Sequence, residues 1–185
     1  MSLQTRKINS LGNVVYETIC NLPYTITLEE EQLLNSYPAH TVVPVLQKLV
    51  EESPDVAITS RAFDALLKLT KFDRVAYLID LYDNNPEKWR WIVPERLSEF
   101  DEPKAVKKLC VMAMTDSDAD ARYLAVYSLY LMGKIETVST LEYISKHDDG
   151  EDYEGNKIAE IAQKAIHKIK SIEQSKIEGR DRGLN

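Results

Sequence analysis

The fold is decided by residues 118–144, which read DADARYLAVYSLYLMGKIETVSTLEYI. Apolar residues recur in this stretch at spacings of three and four, first at Ala125, Leu129 and Met132 and then in a second run beyond Gly133. Such spacing places apolar side chains on one face of an α-helix. Glycine often ends a helix because it adopts left-handed backbone angles without strain. The stretch therefore predicts two amphipathic helices joined by a short turn.

The same apolar spacing recurs along the chain in four pairs of predicted helices, each with a first and a second helix. Equivalent leucines in three of the second helices, Leu66, Leu97 and Leu129, lie 31 and 32 residues apart. The first helices carry Val43, Leu46 and Leu49; Val75, Leu78 and Leu81; Val106, Leu109 and Met112; and Val138, Leu141 and Ile144. The second helices carry Ala62, Leu66 and Leu69; Val93, Leu97 and Phe100; Ala125, Leu129 and Met132; and Ala162, Ile166 and Ile169. All 24 positions are apolar in a chain that is 44% hydrophobic. For a register chosen in advance, chance gives this on the order of 10⁻⁹, and the pattern survives a generous allowance for the choice of register. The pattern therefore predicts a repeat.

The third repeat carries Arg122 near the start of its second helix, Ala125 and Leu129 inside it, and Gly133 at its end. In these respects it resembles the HEAT-like (PBS-lyase-type) helical repeat family. The resemblance covers residues 27–170 and implies an all-α superhelix, a solenoid of about four to five helical hairpins. It also implies that the second helices line the concave face. Because this family serves as a scaffold for many roles, the resemblance favours no single function.

We expect one α-solenoid domain over residues 1–185. Residues 1–37 are predicted to form an N-terminal cap or degenerate repeat, 38–170 four HEAT-like repeats, and 171–185 a flexible C-terminal tail. The two ends carry no functional prediction, because they are similar to a vector-derived start and to a protease-cleavage linker. These stretches are Met1-Ser2-Leu3 and Ile177-Glu178-Gly179-Arg180.

Several residues predict where helices begin and end. Capping boxes are predicted at Thr27 with Glu30, at Thr70 with Asp73 and at Ser117 with Asp120, a helix start at Asn85-Pro86, and helix ends at Gly133 and Gly150. Pro94 falls inside a predicted second helix, and we expect it to kink that helix or to split it after Val93.

Composition excludes several classes of function. The net charge is −7 and the pI about 5.1, whereas nucleic-acid-binding proteins usually carry a basic surface, so we expect no nucleic-acid ligand. No stretch has the length and apolar character of a membrane span or a signal peptide. Cys20 and Cys110 stand far apart, which indicates reduced thiols rather than a zinc cluster or a disulfide framework. We expect a cytoplasmic protein.

Motifs for catalysis are missing from the sequence. There is no phosphate-binding loop, dinucleotide fingerprint, zinc-protease motif or nucleophile elbow. His40, His147 and His167 fall in three different repeats, and no His-Glu dipeptide occurs. We therefore predict a protein that is not an enzyme and that has no cofactor or metal. The alternative is a HEAT-like enzyme, or a chromophore lyase or chaperone, with a concave pocket.

An acidic loop interrupts the last repeat. Residues 148–154 hold five carboxylates, and three interpretations are open. Either the loop is solvated, or it contacts a basic partner, or it binds calcium. The spacing of its carboxylates does not match that of an EF-hand.

An aromatic stripe supplies the candidate site. Tyr123, Tyr127 and Tyr130 are spaced i, i+4, i+7 and lie off the core stripe of the same predicted helix. Tyrosine and tryptophan often dominate binding surfaces, although these rings have the alternative of packing between neighbouring second helices. The predicted partner-binding residues are Trp91, Tyr123, Tyr127, Tyr130, Glu95 and Asp64.

These residues lead to a hypothesis of function. The sequence predicts a non-catalytic protein-binding scaffold that uses the concave face of the array. Its carboxylates favour a basic protein partner. A bacterial adaptor or immunity-type protein is one specific version of this hypothesis.

Overall fold

The computed structural model describes residues 3–21 and 26–182, and the side chains within 11–21 and 26–178. In this part of the chain eleven α-helices form and no β-strand does. The predicted all-α class is therefore confirmed. Met1, Ser2 and residues 22–25, which belong to the predicted cap, lie outside the described residues.

The chain divides into two compact units that meet in sequence between Arg74 and Val75. The N-terminal unit contains α1 (Leu3–Asn21), α2 (Leu28–Ser36), α3 (Ala39–Glu52) and α4 (Val56–Lys68). The C-terminal unit contains α5 (Arg74–Asn84) except for its first residue, together with α6 (Pro86–Trp89), α7 (Val93–Ser98), α8 (Pro103–Thr115), α9 (Ala119–Met132), α10 (Val138–His147) and α11 (Ile158–Arg182). A 3₁₀ turn (Ile135–Thr137) leads into α10. Within the described residues, no helix combines the length and apolar character needed to cross a bilayer.

In the N-terminal unit α3 and α4 form a hairpin, α1 packs against both, and α2 packs against α4. The predicted capping box at the start of α2 is confirmed. The Glu30 amide donates to Thr27 Oγ1 at 3.3 Å, and the Thr27 amide donates to Glu30 Oε2 at 2.8 Å. The predicted box at Thr70 is wrong, because Thr70 lies before the first turn of α5. Its amide and hydroxyl both donate to Asn35 Oδ1, at 2.9 and 3.0 Å.

In the C-terminal unit α9 is the central helix. It packs against α7, α8 and α11, while α10 packs against α11 and α8. The second helices of successive hairpins, α7, α9 and α11, are therefore neighbours. Leu129 of α9 and Leu97 of α7 are both fully buried, and burial of a leucine contributes about 1.5–3 kcal/mol.

The apolar positions of the predicted repeat form the core of each unit. All but five of the 24 positions are buried, and none is exposed. The half-buried positions are Val43, Phe100, Met132, Val138 and Ile166. The spacing of apolar residues thus identified which side chains face inward.

The predicted second helix that contains Pro94 is broken, but not at the position that the sequence predicted. α6 begins after Asn85, whose side chain accepts from the Lys88 amide at 3.2 Å, and it ends after one turn. α7 then begins at Val93, with Pro94 in its first turn. The break therefore precedes Val93 instead of following it, because proline is favoured in the first turn of a helix, where no amide donor is required.

Two other predicted boundaries need correction. The N-cap of α9 is Asp118 and not Ser117, and its carboxylate accepts from the Ala121 amide at 3.0 Å. α10 ends at His147, before Gly150. Gly133 does end α9, with φ of 64°, in the left-handed region. Residues 171–182, predicted as a flexible tail, are helical and continue α11.

Candidate binding surface

The three tyrosines of the predicted stripe lie on α9 and differ in exposure. Tyr127 is 40% exposed, while Tyr123 and Tyr130 are half-buried. The rings of Tyr127 and Tyr130 stack, with centroids 5.8 Å apart and planes inclined by 26°. Ala125 and Leu129 of the core stripe are fully buried. α9 therefore presents one exposed ring that is supported by a second.

Tyr130 also contacts the neighbouring second helix. Lys168 of α11 lies over its ring, with Nζ 4.2 Å from the centroid. The same ammonium group donates to the Tyr130 carbonyl at 2.9 Å. A cation over an aromatic ring stabilises by about 0.5–1 kcal/mol where the pair is partly exposed. Tyr130 therefore joins α9 to α11, and its removal affects packing as well as the surface.

Tyr123 lies beside the acidic loop. Burial raises the pKa of its hydroxyl, and the nearby negative charge of Asp152 raises it further. The phenol therefore stays neutral at physiological pH and keeps its hydrogen-bond donor. This end of the stripe combines an aromatic ring with carboxylates.

The acidic loop is ordered by its own side chains. Asp152 is 9% exposed, and its carboxylate accepts from the amides of Glu154 and Asn156 at 3.0 and 2.8 Å and from Asn156 Nδ2 at 2.9 Å. Burial raises the pKa of Asp152, but these hydrogen bonds outweigh it and hold the pKa below its ordinary value. Tyr153, at the tip, is 82% exposed. The loop therefore presents a ring on a folded turn.

A bidentate ion pair fixes the start of the acidic loop. Arg122 Nε donates to Asp148 Oδ2 at 2.8 Å, and Nη2 donates to Oδ1 at 3.1 Å. This hydrogen bonding raises the pKa of Arg122. Burial raises the pKa of Asp148, but the hydrogen bonds from Arg122 and the Gly150 amide outweigh it, and the pKa is lowered. Arg122 therefore ties the start of α9 to the end of α10.

The remaining predicted site residues occupy different settings. Trp91 was predicted to lie on a second helix, because the repeat places it at the position equivalent to Tyr123. It is 45% exposed and lies instead in the turn between α6 and α7. Glu95 is exposed in α7. Asp64 is half-buried in α4 of the N-terminal unit. The C-terminal unit therefore contains all of the predicted aromatic residues and one of the two predicted rim carboxylates.

Sequence reasoning missed a buried polar cluster beneath the start of α9. Asp116 is 6% exposed, and its carboxylate accepts from the Tyr82 hydroxyl and from the Asp118 amide, the latter at 2.9 Å. Arg90 Nη1 lies 3.6 Å from Asp116 Oδ1 and 3.5 Å from Asp118 Oδ2. Burial raises the pKa of Tyr82, and the hydrogen bond to Asp116 raises it further. In the sequence, Tyr82 and Asp116 lie at the ends of consecutive first helices. Their spacing alone does not show that the two side chains pair.

Metal-binding groups are not assembled in the part of the chain that the structure describes. No set of three or more histidine, cysteine or carboxylate residues lies close enough there to hold an ion. His40, His147 and His167 are each exposed on a different helix. The ring of His147 stacks on Tyr143 at 4.3 Å, and its Nδ1 lies 2.8 Å from the Tyr143 carbonyl oxygen.

Comparison of the chain with known protein families, with curated proteins and with solved structures finds no match.

Proposed function

We propose that this chain is a non-catalytic protein-binding module of the HEAT-like kind. The packing of α9 against both α7 and α11 supports stacked hairpins whose second helices form one layer. The exposed rings of Tyr127 and Trp91 carry the functional part of the proposal. Large aromatic side chains left in water stabilise the fold little, and they are the side chains that most often dominate the energy of an interface.

The exposed carboxylates of the C-terminal unit favour a basic partner. Glu95 on α7 and Glu154 in the acidic loop are both exposed, and the chain as a whole carries −7. Carboxylates at the rim of an interface accelerate association with a positively charged protein, and the effect weakens as salt is added. We propose a partner that places an apolar or aromatic group on Tyr127 and lysine or arginine side chains toward the rim.

The acidic composition motivates one specific version of this proposal, in which the chain is a cytoplasmic adaptor or immunity-type protein.

The test compares variants that remove one exposed ring each. The full chain and its Tyr127→Ala and Trp91→Ala variants are used to capture proteins from the native host, and affinity is then measured for the protein identified. Each variant is expected to weaken binding by about 2 kcal/mol or more, roughly thirtyfold. The melting temperature should change little, because both rings are already partly in water.

Tyr143→Ala is the matched control, because Tyr143 is 56% exposed but lies on α10, a first helix. It should leave affinity unchanged. Equal affinity of the wild-type chain and both ring variants, with all proteins folded, would place the partner elsewhere.

A further inference from the structure

The second helices α9 and α11 lie side by side and run in the same direction. On α11 the Lys168 ammonium group donates to the Tyr130 carbonyl of α9 at 2.9 Å. Further along both helices, a Cβ built at Gly133 would meet Ile172 Cδ1 at 3.7 Å. Because the contacts advance along both helices together, the two helices are parallel. The pair Tyr130 and Lys168 sets their register, with an offset of 38 residues.

The second helices α7 and α9 are also parallel. Shortly before them, Arg90 Nη1 lies 3.5 Å from Asp118 Oδ2. Directly after them, Lys134 forms an ion pair with Asp101. The two starts are therefore neighbours, and so are the two ends. The pair Asp101 and Lys134 sets the register of these helices, with an offset of 33 residues.

These offsets place three side chains in one row across the three helices: Glu95 on α7, Tyr127 on α9 and Lys164 on α11. Glu95 and Lys164 each fall within one residue of the level of Tyr127. Tyr127 is 40% exposed, and both charged side chains are exposed as well. Neither of them forms an ion pair with another residue that the structure describes. The row therefore presents a carboxylate, a ring and an ammonium group in that order.

The spacing of the row matches that of an extended peptide. Packed helices lie about 8–10 Å apart, so the row is about 16–20 Å long. A polyproline II segment has three residues per turn and rises about 3.1 Å per residue, so its side chains repeat on one face about every 9 Å. Such a segment, lying across the helices, presents one side chain to each of them. Surfaces with exposed rings suit these segments, which are already ordered before they bind.

We propose that the row of Glu95, Tyr127 and Lys164 binds a proline-rich segment of a partner protein that carries a basic, an apolar or aromatic, and an acidic side chain at every third residue. The basic side chain pairs with Glu95, the apolar one packs on Tyr127, and the acidic one pairs with Lys164. This inference rests on the proposed protein-binding function, and it names the partner's binding segment and the order of its charges. A uniformly basic segment would meet Lys164 with like charge, which weakens binding.

The probes for the test are three fluorescein-labelled heptapeptides with blocked ends. One is Lys-Pro-Pro-Phe-Pro-Pro-Glu, called the mixed peptide, and the others carry lysine at both ends or glutamate at both ends. Their fluorescence polarisation is titrated with the full-length chain at low salt. Wild type should bind the mixed peptide about threefold more tightly than either of the others, as expected for one exposed ion pair. Tyr127→Ala should weaken binding of all three peptides.

Reversing one charge of the row should change which peptide binds best. Lys164→Glu should favour the peptide with two lysines, and Glu95→Lys should favour the peptide with two glutamates. Both positions are exposed, so the melting temperature should change little. Lys146→Glu is the matched control, because Lys146 is exposed on α10, a first helix. It makes the same change in net charge as Lys164→Glu and should leave the order of preference unchanged.

Four results would each overturn the proposal. These are no saturable binding of the mixed peptide to wild type, an order of preference that either reversal leaves unchanged, a control variant that shifts the preference as Lys164→Glu does, and tighter binding of an α-helical peptide with the same three groups two turns, about 11 Å, apart. None of them bears on the capture of a host protein through Tyr127, so this inference and the proposed function fail separately.

Discussion

Replacing Tyr82 by Phe tests the buried polar cluster. The substitution removes the hydroxyl that donates to Asp116, whose side chain is 1% exposed. A hydrogen bond to a charged group contributes about 1.5–3 kcal/mol. With a urea m-value of about 2 kcal/mol/M, the unfolding midpoint should fall by about 1 M. Tyr143→Phe, on a ring that is 56% exposed, should change stability by less than about 0.5 kcal/mol.

The pH dependence of the same variant provides a second readout. The pKa of Tyr82 is raised in the folded protein, so its contribution to stability is complete below pH 10 and is lost as the pH rises above that value. The urea concentration at the unfolding midpoint should therefore fall more between pH 10 and 11 for wild type than for Tyr82→Phe.

A double-mutant cycle with Asp116→Asn isolates the interaction between the two side chains, and we expect them to couple by about 1 kcal/mol or more. Additive losses, or a Tyr82→Phe variant as stable as wild type, would refute the cluster as a source of stability.

Three further predictions concern the C-terminal unit. Asp148→Asn breaks the ion pair with Arg122. The pKa of Asp148 is lowered in the folded protein, so the stability that this pair contributes is complete above about pH 4 and is lost as the pH falls below that value; the variant's deficit in thermal melting should therefore shrink as the pH is lowered. Gly133→Ala should cost about 1 kcal/mol in urea titration, because φ is 64° there. Leu129→Ala and Ile169→Ala should each cost about 2–5 kcal/mol, since both side chains are fully buried; a loss below 1 kcal/mol at Ile169 would show that α11 packs loosely.

The helices and their buried faces were predictable because apolar spacing directly encodes the inward face of a helix. Leu97 and Leu129 occupy equivalent positions and are both fully buried. Boundaries were less predictable. Ser117 and Asp118 are both good N-caps, and the choice between them depends on the Asp118 carboxylate reaching the Ala121 amide.

The site was only partly predictable because several of its contacts join distant residues. Lys168 lies 38 residues beyond Tyr130, so no local pattern revealed that this ring packs against α11. Trp91 was assigned to a helix because the repeat suggested one. The helix-start signals at Asn85-Pro86 and at Pro94 together indicate two short helices instead.

The self-bonded acidic loop bears on the thermodynamics of association. A surface loop usually loses conformational entropy when a partner immobilises it, and that loss weakens binding. Here the amides of Glu154 and Asn156 already bind Asp152, and Arg122 already holds Asp148. A molecule that docks on this loop meets charges fixed in advance, so its binding should show a small entropic penalty in calorimetry.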